Sequence, residues 1–191
     1  AGEHVAGQAV DSRTGVPIFS LYGKSRMPSA SQLEGLDAIV YDIQDIGCRS
    51  YTYISTMGNV MKVAAMEDVE MIILDRPNPL GGLRVEGPGV DDSLISFVGQ
   101  YNIPYVYGLT CGELAMLLNE EGMLKVTGSR GQDSTVRCRL TVVRMEGWTR
   151  GMSWDDTGLM WVPTSPHIPT PEAAYFYPAT GILGELGCLS T

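Results

Sequence analysis

The sequence points to an α/β fold in which a parallel β-sheet is flanked by helices, and three observations carry that expectation. Two short apolar runs, Ala38-Ile39-Val40-Tyr41 and Met71-Ile72-Ile73-Leu74, consist of strand-forming residues, and each is followed by an Asp. Neither run alternates with polar residues, the pattern of strands covered on both faces of a parallel sheet. Between them Ile54, Met57, Met61, Ala64 and Ala65 recur at helical spacing. Strand, helix and strand at this length make a right-handed crossover.

Taken in chain order, Ile18-Phe19-Ser20-Leu21-Tyr22 is expected to supply a further strand, followed by a short helix near Ser31 to Leu36. Downstream of the crossover, Thr110 can cap a helix through Glu113-Leu114-Ala115-Met116-Leu117-Leu118, with Glu113 at the capping-box position. Gly122 suits its end. Gly128 to Ser134 reads as a polar surface loop, and Leu140-Thr141-Val142-Val143 as another strand. From Trp148 onward periodicity fades. Pro163, Pro166, Pro169 and Pro171 mark an irregular segment, read as a linker toward a second domain. The domain expectation is residues 1–165 for the main domain, lacking its N-terminal part, and 166–191 for a linker and the start of a truncated ancillary domain.

A chain of 191 residues can bury a sizeable core. Its formal net charge of −9 argues against a nucleic-acid surface, which needs clustered Lys and Arg, but is compatible with a small neutral or singly charged sugar. No apolar run is long enough to span a bilayer. Cys48, Cys111, Cys138 and Cys188 are widely spaced and read as buried free thiols, not as a zinc site or a disulfide scaffold. The opening Ala1-Gly2-Glu3-His4-Val5, without Met or leader, and the close at Gly184-Glu185-Leu186-Gly187-Cys188 read as the ends of a fragment.

In open parallel sheets, ligands bind beyond the carboxyl ends of the strands. Both of these strands end there in a loop rich in polar groups. The first offers Asp42, Gln44, Asp45, Arg49, Tyr51 and Tyr53, and the second Asp75, Arg76, Asn78, Arg84 and Glu86. Donors and acceptors mixed in this way suit a polyhydroxyl ligand. Asp42 and Asp75 could equally cap loops or helix starts, Arg49 and Arg76 could pair with them, and Tyr51 and Tyr53 could simply pack. Glu86, between Val85 and Gly87-Pro88, has few local partners in this reading, and partial desolvation would raise its pKa toward that of a general acid.

Other motifs fail. Gly23-Lys24-Ser25 resembles the tail of a P-loop, but Ile18 stands where that motif requires Gly. A dinucleotide fingerprint and a Gly-x-Ser-x-Gly elbow are missing, and His4 and His167 are the sole histidines, a poor supply for a His-based metal site or a Ser-His-Asp triad. Asp42 and Asp45 could hold Mg²⁺ at a strand end, which leaves a metal-dependent phosphotransfer enzyme as a rival reading.

At these loops the chain resembles the exo-β-N-acetylmuramidase family, long known as the domain of unknown function DUF1343. The resemblance is carried by Tyr41-Asp42-Ile43-Gln44-Asp45-Ile46-Gly47, Arg49, Tyr51-Thr52-Tyr53-Ile54-Ser55-Thr56-Met57 and Leu74-Asp75-Arg76-Pro77-Asn78-Pro79. Gly81-Gly82, Val85-Glu86-Gly87-Pro88, Ala1-Gly2-Glu3 and Trp161-Val162-Pro163 with Ser165-Pro166 continue it. It implies a Rossmann-like bacterial catalytic domain followed by a smaller ancillary domain, with the active site between them. It implies removal of terminal N-acetylmuramic acid from the non-reducing end of muropeptides or peptidoglycan-derived disaccharides, a step in cell-wall turnover, without cofactor or metal. An extracytoplasmic location, periplasmic or secreted, follows for the full-length parent.

One family carboxylate falls on Glu86; the other belongs to a Pro-Glu-His-Gly motif expected upstream of Ala1. Asp42, Asp45, Arg49, Tyr51, Asp75, Arg76 and Asn78 would bind the sugar and its lactyl carboxylate. A non-catalytic glycan-binding module is the second rival; it would bind muropeptides without consuming them.

Overall fold

A computed structural model describes residues 9–22, 25–128 and 131–185, with Glu185 as backbone. Ala1-Gly2-Glu3, the Gly23-Lys24 pair, Cys188 and Ser190-Thr191 lie outside the described residues. A parallel sheet is built from β3 (Ala38–Tyr41), β4 (Glu70–Leu74) and β7 (Leu140–Val143), in the order β3-β4-β7. Ile39 pairs with Met71, and Ile73 with Val142. Helix α2 (Tyr53–Met66) connects β3 to β4, and α3 (Cys111–Glu120) lies on the way from β4 to β7.

The periodic residues of α2 become core. Ile54, Met57, Met61 and Ala64 are fully buried against Met71 and Ile73 of β4 and Leu114, Ala115 and Leu118 of α3. Each such large side chain contributes about 1.5–3 kcal/mol relative to exposure. Gly58 belongs to this packing: the hydroxyl of Tyr101 lies 1.7 Å from where a Cβ would stand, so any side chain would collide with it. Helix α3 starts as its sequence predicts. The Thr110 hydroxyl accepts from the Glu113 N–H at 3.2 Å, and the Glu113 carboxylate accepts from the Thr110 N–H at 3.0 Å.

The apolar runs led us to expect strands covered on both faces, and the structure corrects this. Val40 is 57% exposed and Val143 50%, so the face opposite α2 and α3 is open among the described residues. The reason is topological. Two successive right-handed crossovers that add strands in one direction place both helices on one side.

The run Ile18 to Tyr22 does not join the sheet either. Only Ile18 is paired, in a two-residue hairpin of β1 (Ala9–Val10) with β2 (Pro17–Ile18), while Leu21 packs against the main core. The turn between β1 and β2 is held by the Asp11 carboxylate, which accepts from Thr14 N–H at 2.7 Å and Arg13 N–H at 3.1 Å. Helix α1 is the single turn Ala30–Leu33, capped by Ser29 with Gln32. Part of the expected Gly128–Ser134 loop is strand: β5 (Lys125–Thr127) pairs antiparallel with β6 (Asp133–Thr135).

The proline-marked end is less irregular than expected. Helix α4 spans Pro171–Glu185, with Pro171 in the first turn where its missing N–H costs nothing, and Pro178 inside. Ala174 of α4 and Ile168 form a second buried cluster with Ile46 and Cys48 from the loop after β3, and Tyr51, Tyr105, Trp161 and Tyr177 pack around it. Within the sequence-based expectations, the thiol state is met for the described cysteines: Cys48, Cys111 and Cys138 are buried and free.

Candidate functional site

Because the three strands are parallel, their carboxyl ends open on one edge, and the loops that follow meet there. A cleft of about 510 Å³ is lined by Asp42, Asp75, Arg76 and Pro77, and by Met145, Glu146, Trp148, Met152, Asp156 and Leu159 from the segment after β7. Its walls combine carboxylates, one guanidinium, an indole and aliphatic side chains. That mixture offers hydrogen bonds to hydroxyls and a flat apolar surface to the C–H face of a sugar ring.

The predicted site residues divide into three environments. Asp42 and Arg76 face the cleft as an ion pair: Arg76 Nε donates to Asp42 Oδ1 at 2.7 Å, and Nη2 lies 2.5 Å from the same oxygen. Asp75 also lines the cleft but is engaged at the start of α3. Its Oδ1 accepts from the Gly112 N–H at 2.7 Å and the Arg76 N–H at 3.1 Å, and its Oδ2 from the Thr110 hydroxyl at 2.8 Å. The approach is close enough that a Cβ on Gly112 would meet the Asp75 carboxyl carbon at 2.8 Å. Asp75 therefore ties the end of β4 to the positive end of a helix, where a carboxylate is favoured.

Asp45 and Asn78 lie beneath this layer. Asn78 is 5% exposed; its amide donates to Leu109 O at 2.9 Å and its Oδ1 accepts from the Leu80 N–H at 2.9 Å. Gly47, at φ +77°, fits against it, since a Cβ there would lie 2.2 Å from Asn78 Oδ1. Asp45 is buried, and its Oδ2 accepts from the Tyr107 hydroxyl and from the Gly47 N–H. Burial pushes its carboxyl up to about 6 despite those hydrogen bonds. Its Oδ1 and the Oε1 of Gln44 are both buried without a protein partner among the described residues, and both residues line a void of about 10 Å³. A void of that size accommodates about one water. The Gln44 amide donates to Asp45 O and Pro77 O, lacing the two loops together.

Arg49, Tyr51 and Glu86 lie outside the cleft walls. Arg49 Nη1 donates to Pro88 O at 2.8 Å and Ile103 O at 2.5 Å, and its guanidinium sits 5.6 Å from the Tyr105 ring centre. It clamps two loops. Tyr51 donates to the Thr164 hydroxyl at 2.8 Å and stacks edge-on against Tyr53 and Tyr177. Glu86 corrects the expectation of a desolvated acid. It is exposed and bidentate with Arg84, at 2.7 and 3.1 Å, and these hydrogen bonds hold its carboxyl below the usual glutamate range. The Asp42–Asp45 pair does not converge: one carboxylate meets Arg76 in the cleft, the other Tyr107 in the interior. Among the described residues no three His, Cys, Asp or Glu side chains gather as a metal site.

Glu146, Trp148, Met152 and Asp156 went unnoticed in the sequence. They follow Val143, the last residue of β7, and that strand was legible. Applying the carboxyl-end rule to the third strand as well as the first two would have pointed at this segment.

Comparisons with known proteins identify relatives of this chain. Residues 1–172 match the family model described as exo-beta-N-acetylmuramidase NamZ, N-terminal. The chain is 44% identical over 183 residues to the peptidoglycan beta-N-acetylmuramidase NamZ of Bacillus subtilis (strain 168), a match covering 96% of this chain and 41% of that protein. Two crystal structures of DUF1343 family proteins from Bacteroides fragilis NCTC 9343 superpose with TM-scores of 0.86 and 0.77, at 59% and 36% identity. They cover 94% and 92% of this chain, and this chain covers 44% of each of them. The chain thus spans about two fifths of the length of the relatives it matches.

Proposed function

Because this chain belongs to the family of exo-β-N-acetylmuramidase N-terminal domains, we propose that the protein carrying it is a glycoside hydrolase that releases terminal N-acetylmuramic acid from the non-reducing end of peptidoglycan fragments. The observation that carries this reading is the 44% identity, along nearly the whole chain, to a protein named as a peptidoglycan β-N-acetylmuramidase. The cleft beyond β3, β4 and β7, with Trp148 and Arg76 in its walls, supports it as a seat for an acidic sugar. Extracytoplasmic action, where peptidoglycan is met, belongs to the same proposal.

Glycoside hydrolysis uses two carboxyl groups about the anomeric carbon. Glu86, although outside the cleft walls, is proposed as one of them because it is the carboxylate of the family pattern that this chain carries. The hydrogen bonds from Arg84 lower its pKa, which suits a general base or nucleophile better than a general acid. The acid is assigned to the family's Pro-Glu-His-Gly motif, which these 191 residues do not contain. Asp42, Asp45, Arg49, Tyr51, Asp75, Arg76 and Asn78 are proposed to shape the sugar seat. Asp45, Asn78, Arg49 and Tyr51 would act by holding the loops, and Arg76 by direct contact.

The test is release of N-acetylmuramic acid from a muramyl disaccharide or chromogenic muramyl glycoside, with and without EDTA. Release that survives EDTA is expected. Activity abolished by EDTA and restored by Mg²⁺ would favour a phosphotransfer-type site, and binding without turnover would leave a glycan-binding module.

A further inference from the structure

Among the described residues, Arg76 is the single basic side chain in a cleft whose other charged walls are Asp42, Asp75, Glu146 and Asp156. Its geometry is unusual for an ion pair. A guanidinium offers a side edge, Nε with Nη2, and an end edge, Nη1 with Nη2, and each can grip one carboxylate through two parallel bonds. Here the side edge closes on one oxygen instead of two: Nε donates to Asp42 Oδ1 at 2.7 Å, and Nη2 lies 2.5 Å from the same atom. Nη1 meets no partner among the described residues, and the Arg76 side chain is 39% exposed on the cleft wall. The backbone beneath is fixed as well, since the Arg76 N–H donates to Asp75 and Pro77 follows. The guanidinium is thus oriented by Asp42 without being used up by it.

We propose that the end edge of Arg76 binds one carboxylate of the ligand, and that Asp42 is the positioning residue that aims it. This deepens the muramidase reading and rests on it for the identity of the sugar: the lactyl carboxylate of N-acetylmuramic acid supplies the anion. The surrounding carboxylates give the contact its selectivity. They repel a negative charge everywhere except at Arg76, so an acidic sugar has one favourable orientation, and a sugar lacking the carboxylate loses the contact that sets it. Lys would keep the charge but not the fork.

The two roles make opposite predictions at position 42. If Asp42 merely neutralised Arg76, its removal would strengthen anion binding whatever replaced it. As a positioning residue it must supply an acceptor. Asp42→Asn retains one and removes a competing negative charge, so affinity for the acid should hold or rise. Asp42→Ala removes the acceptor, so affinity should fall by about tenfold.

The experiment is equilibrium binding of N-acetylmuramic acid, its uncharged lactyl amide and N-acetylglucosamine to the wild-type protein and to Arg76→Gln, Arg76→Lys, Asp42→Asn and Asp42→Ala. Thermal denaturation of each confirms folding, and muramyl glycoside turnover is measured alongside. Wild type should favour the acid over the amide. Arg76→Gln should erase that preference, a loss of roughly ten- to a hundredfold, and Arg76→Lys most of it. Preference retained in Arg76→Gln, no binding of either sugar by wild type, or equal affinities in Asp42→Asn and Asp42→Ala would overturn the proposal. The muramidase reading fails separately: a protein that binds the acid through Arg76 but never cleaves a muramyl glycoside upholds the contact and sinks the activity.

Discussion

In the Arg76–Asp42 pair one guanidinium edge closes on a single oxygen through one hydrogen bond, whereas Arg84 spreads its side edge over both oxygens of Glu86. Arg84 is committed further still. Its Nη1 turns to Tyr175 O at 3.4 Å, and its guanidinium lies 5.0 Å from the Tyr175 ring centre. One arginine is held but still has donors to offer, and the other has every edge engaged. Two pairs of identical chemistry thus suit different roles: the first to meet a ligand, the second to lower the pKa of a carboxylate. A count of salt bridges would score them alike.

The sharpest way to break this contrast is at Glu86. In the protein carrying this chain, Glu86→Gln should lower muramyl glycoside turnover by about 10²–10⁴-fold while leaving sugar affinity largely intact, because the amide keeps the shape and loses the carboxylate. Turnover within a few-fold of wild type would remove Glu86 from the proposed chemistry and leave the Arg84 pair a structural feature.

A third carboxylate, three residues beyond Asp42, sharpens the comparison because it pairs with no cation among the described residues. Asp45, pushed up to about 6, holds its proton in the folded state at pH values where the unfolded chain, near 3.8, has lost it. More protons are bound when folded, so stability should fall as pH rises from about 4 to 6 and level off above, by about 3 kcal/mol at most. Asp45→Asn should flatten that slope. Its carbonyl can accept from Tyr107 and Gly47, and its NH₂ supplies a donor on the side where Asp45 Oδ1 and Gln44 Oε1 have none. A gain of about 1–3 kcal/mol at pH 7 is expected in denaturant titrations; a loss would mean that the buried charge is compensated.

The smallest expected effect is a pH shift. Arg84→Gln frees Glu86 to return toward 4.5, the ordinary glutamate value, so the acidic limb of the rate profile should move to higher pH. The direction is fixed by the role: a base or nucleophile is lost on protonation, and raising its pKa brings that loss on earlier as pH falls. An unmoved limb would show that it reports some other group.

Much of the fold was legible because its signals are local. The apolar runs at 38–41 and 71–74, the periodic residues of α2 and the Thr110–Glu113 box each specify their element within a few residues. What was not legible depended on partners distant in sequence. An unbroken apolar strand does not say which neighbour covers which face, and Val40 and Val143 proved exposed. Helix α4 was hidden by its prolines and glycines, because tertiary packing of Ala174 and Tyr177 onto the loop after β3 overrides weak propensity. The site was half legible. Residues of both loops line the cleft, yet which residue turns to it, as Asp42 does, and which turns inward, as Asp45 does, is decided by Arg76 and Tyr107, which lie 34 and 62 positions along. The Glu86 environment is different: Arg84 is two residues away, on the same side of an extended chain, and could have been read directly.

The three described thiols give this architecture an unplanned use. Cys48, Cys111 and Cys138 are buried, and burial holds each above the ordinary cysteine range, Cys138 at about 11. Only a thiolate reacts quickly with an alkylating reagent. In the folded protein all three are therefore silent twice over, shielded from the reagent and kept protonated. Labelling at any of them requires a local opening first, so its rate measures how often that opening occurs. They sit in three different places: the loop after β3, the first turn of α3, and the approach to β7. Mapped by peptide, alkylation rates would time the breathing of each place separately, and a sugar that settles in the cleft should slow Cys111, whose neighbours Thr110 and Gly112 hold Asp75, more than Cys138.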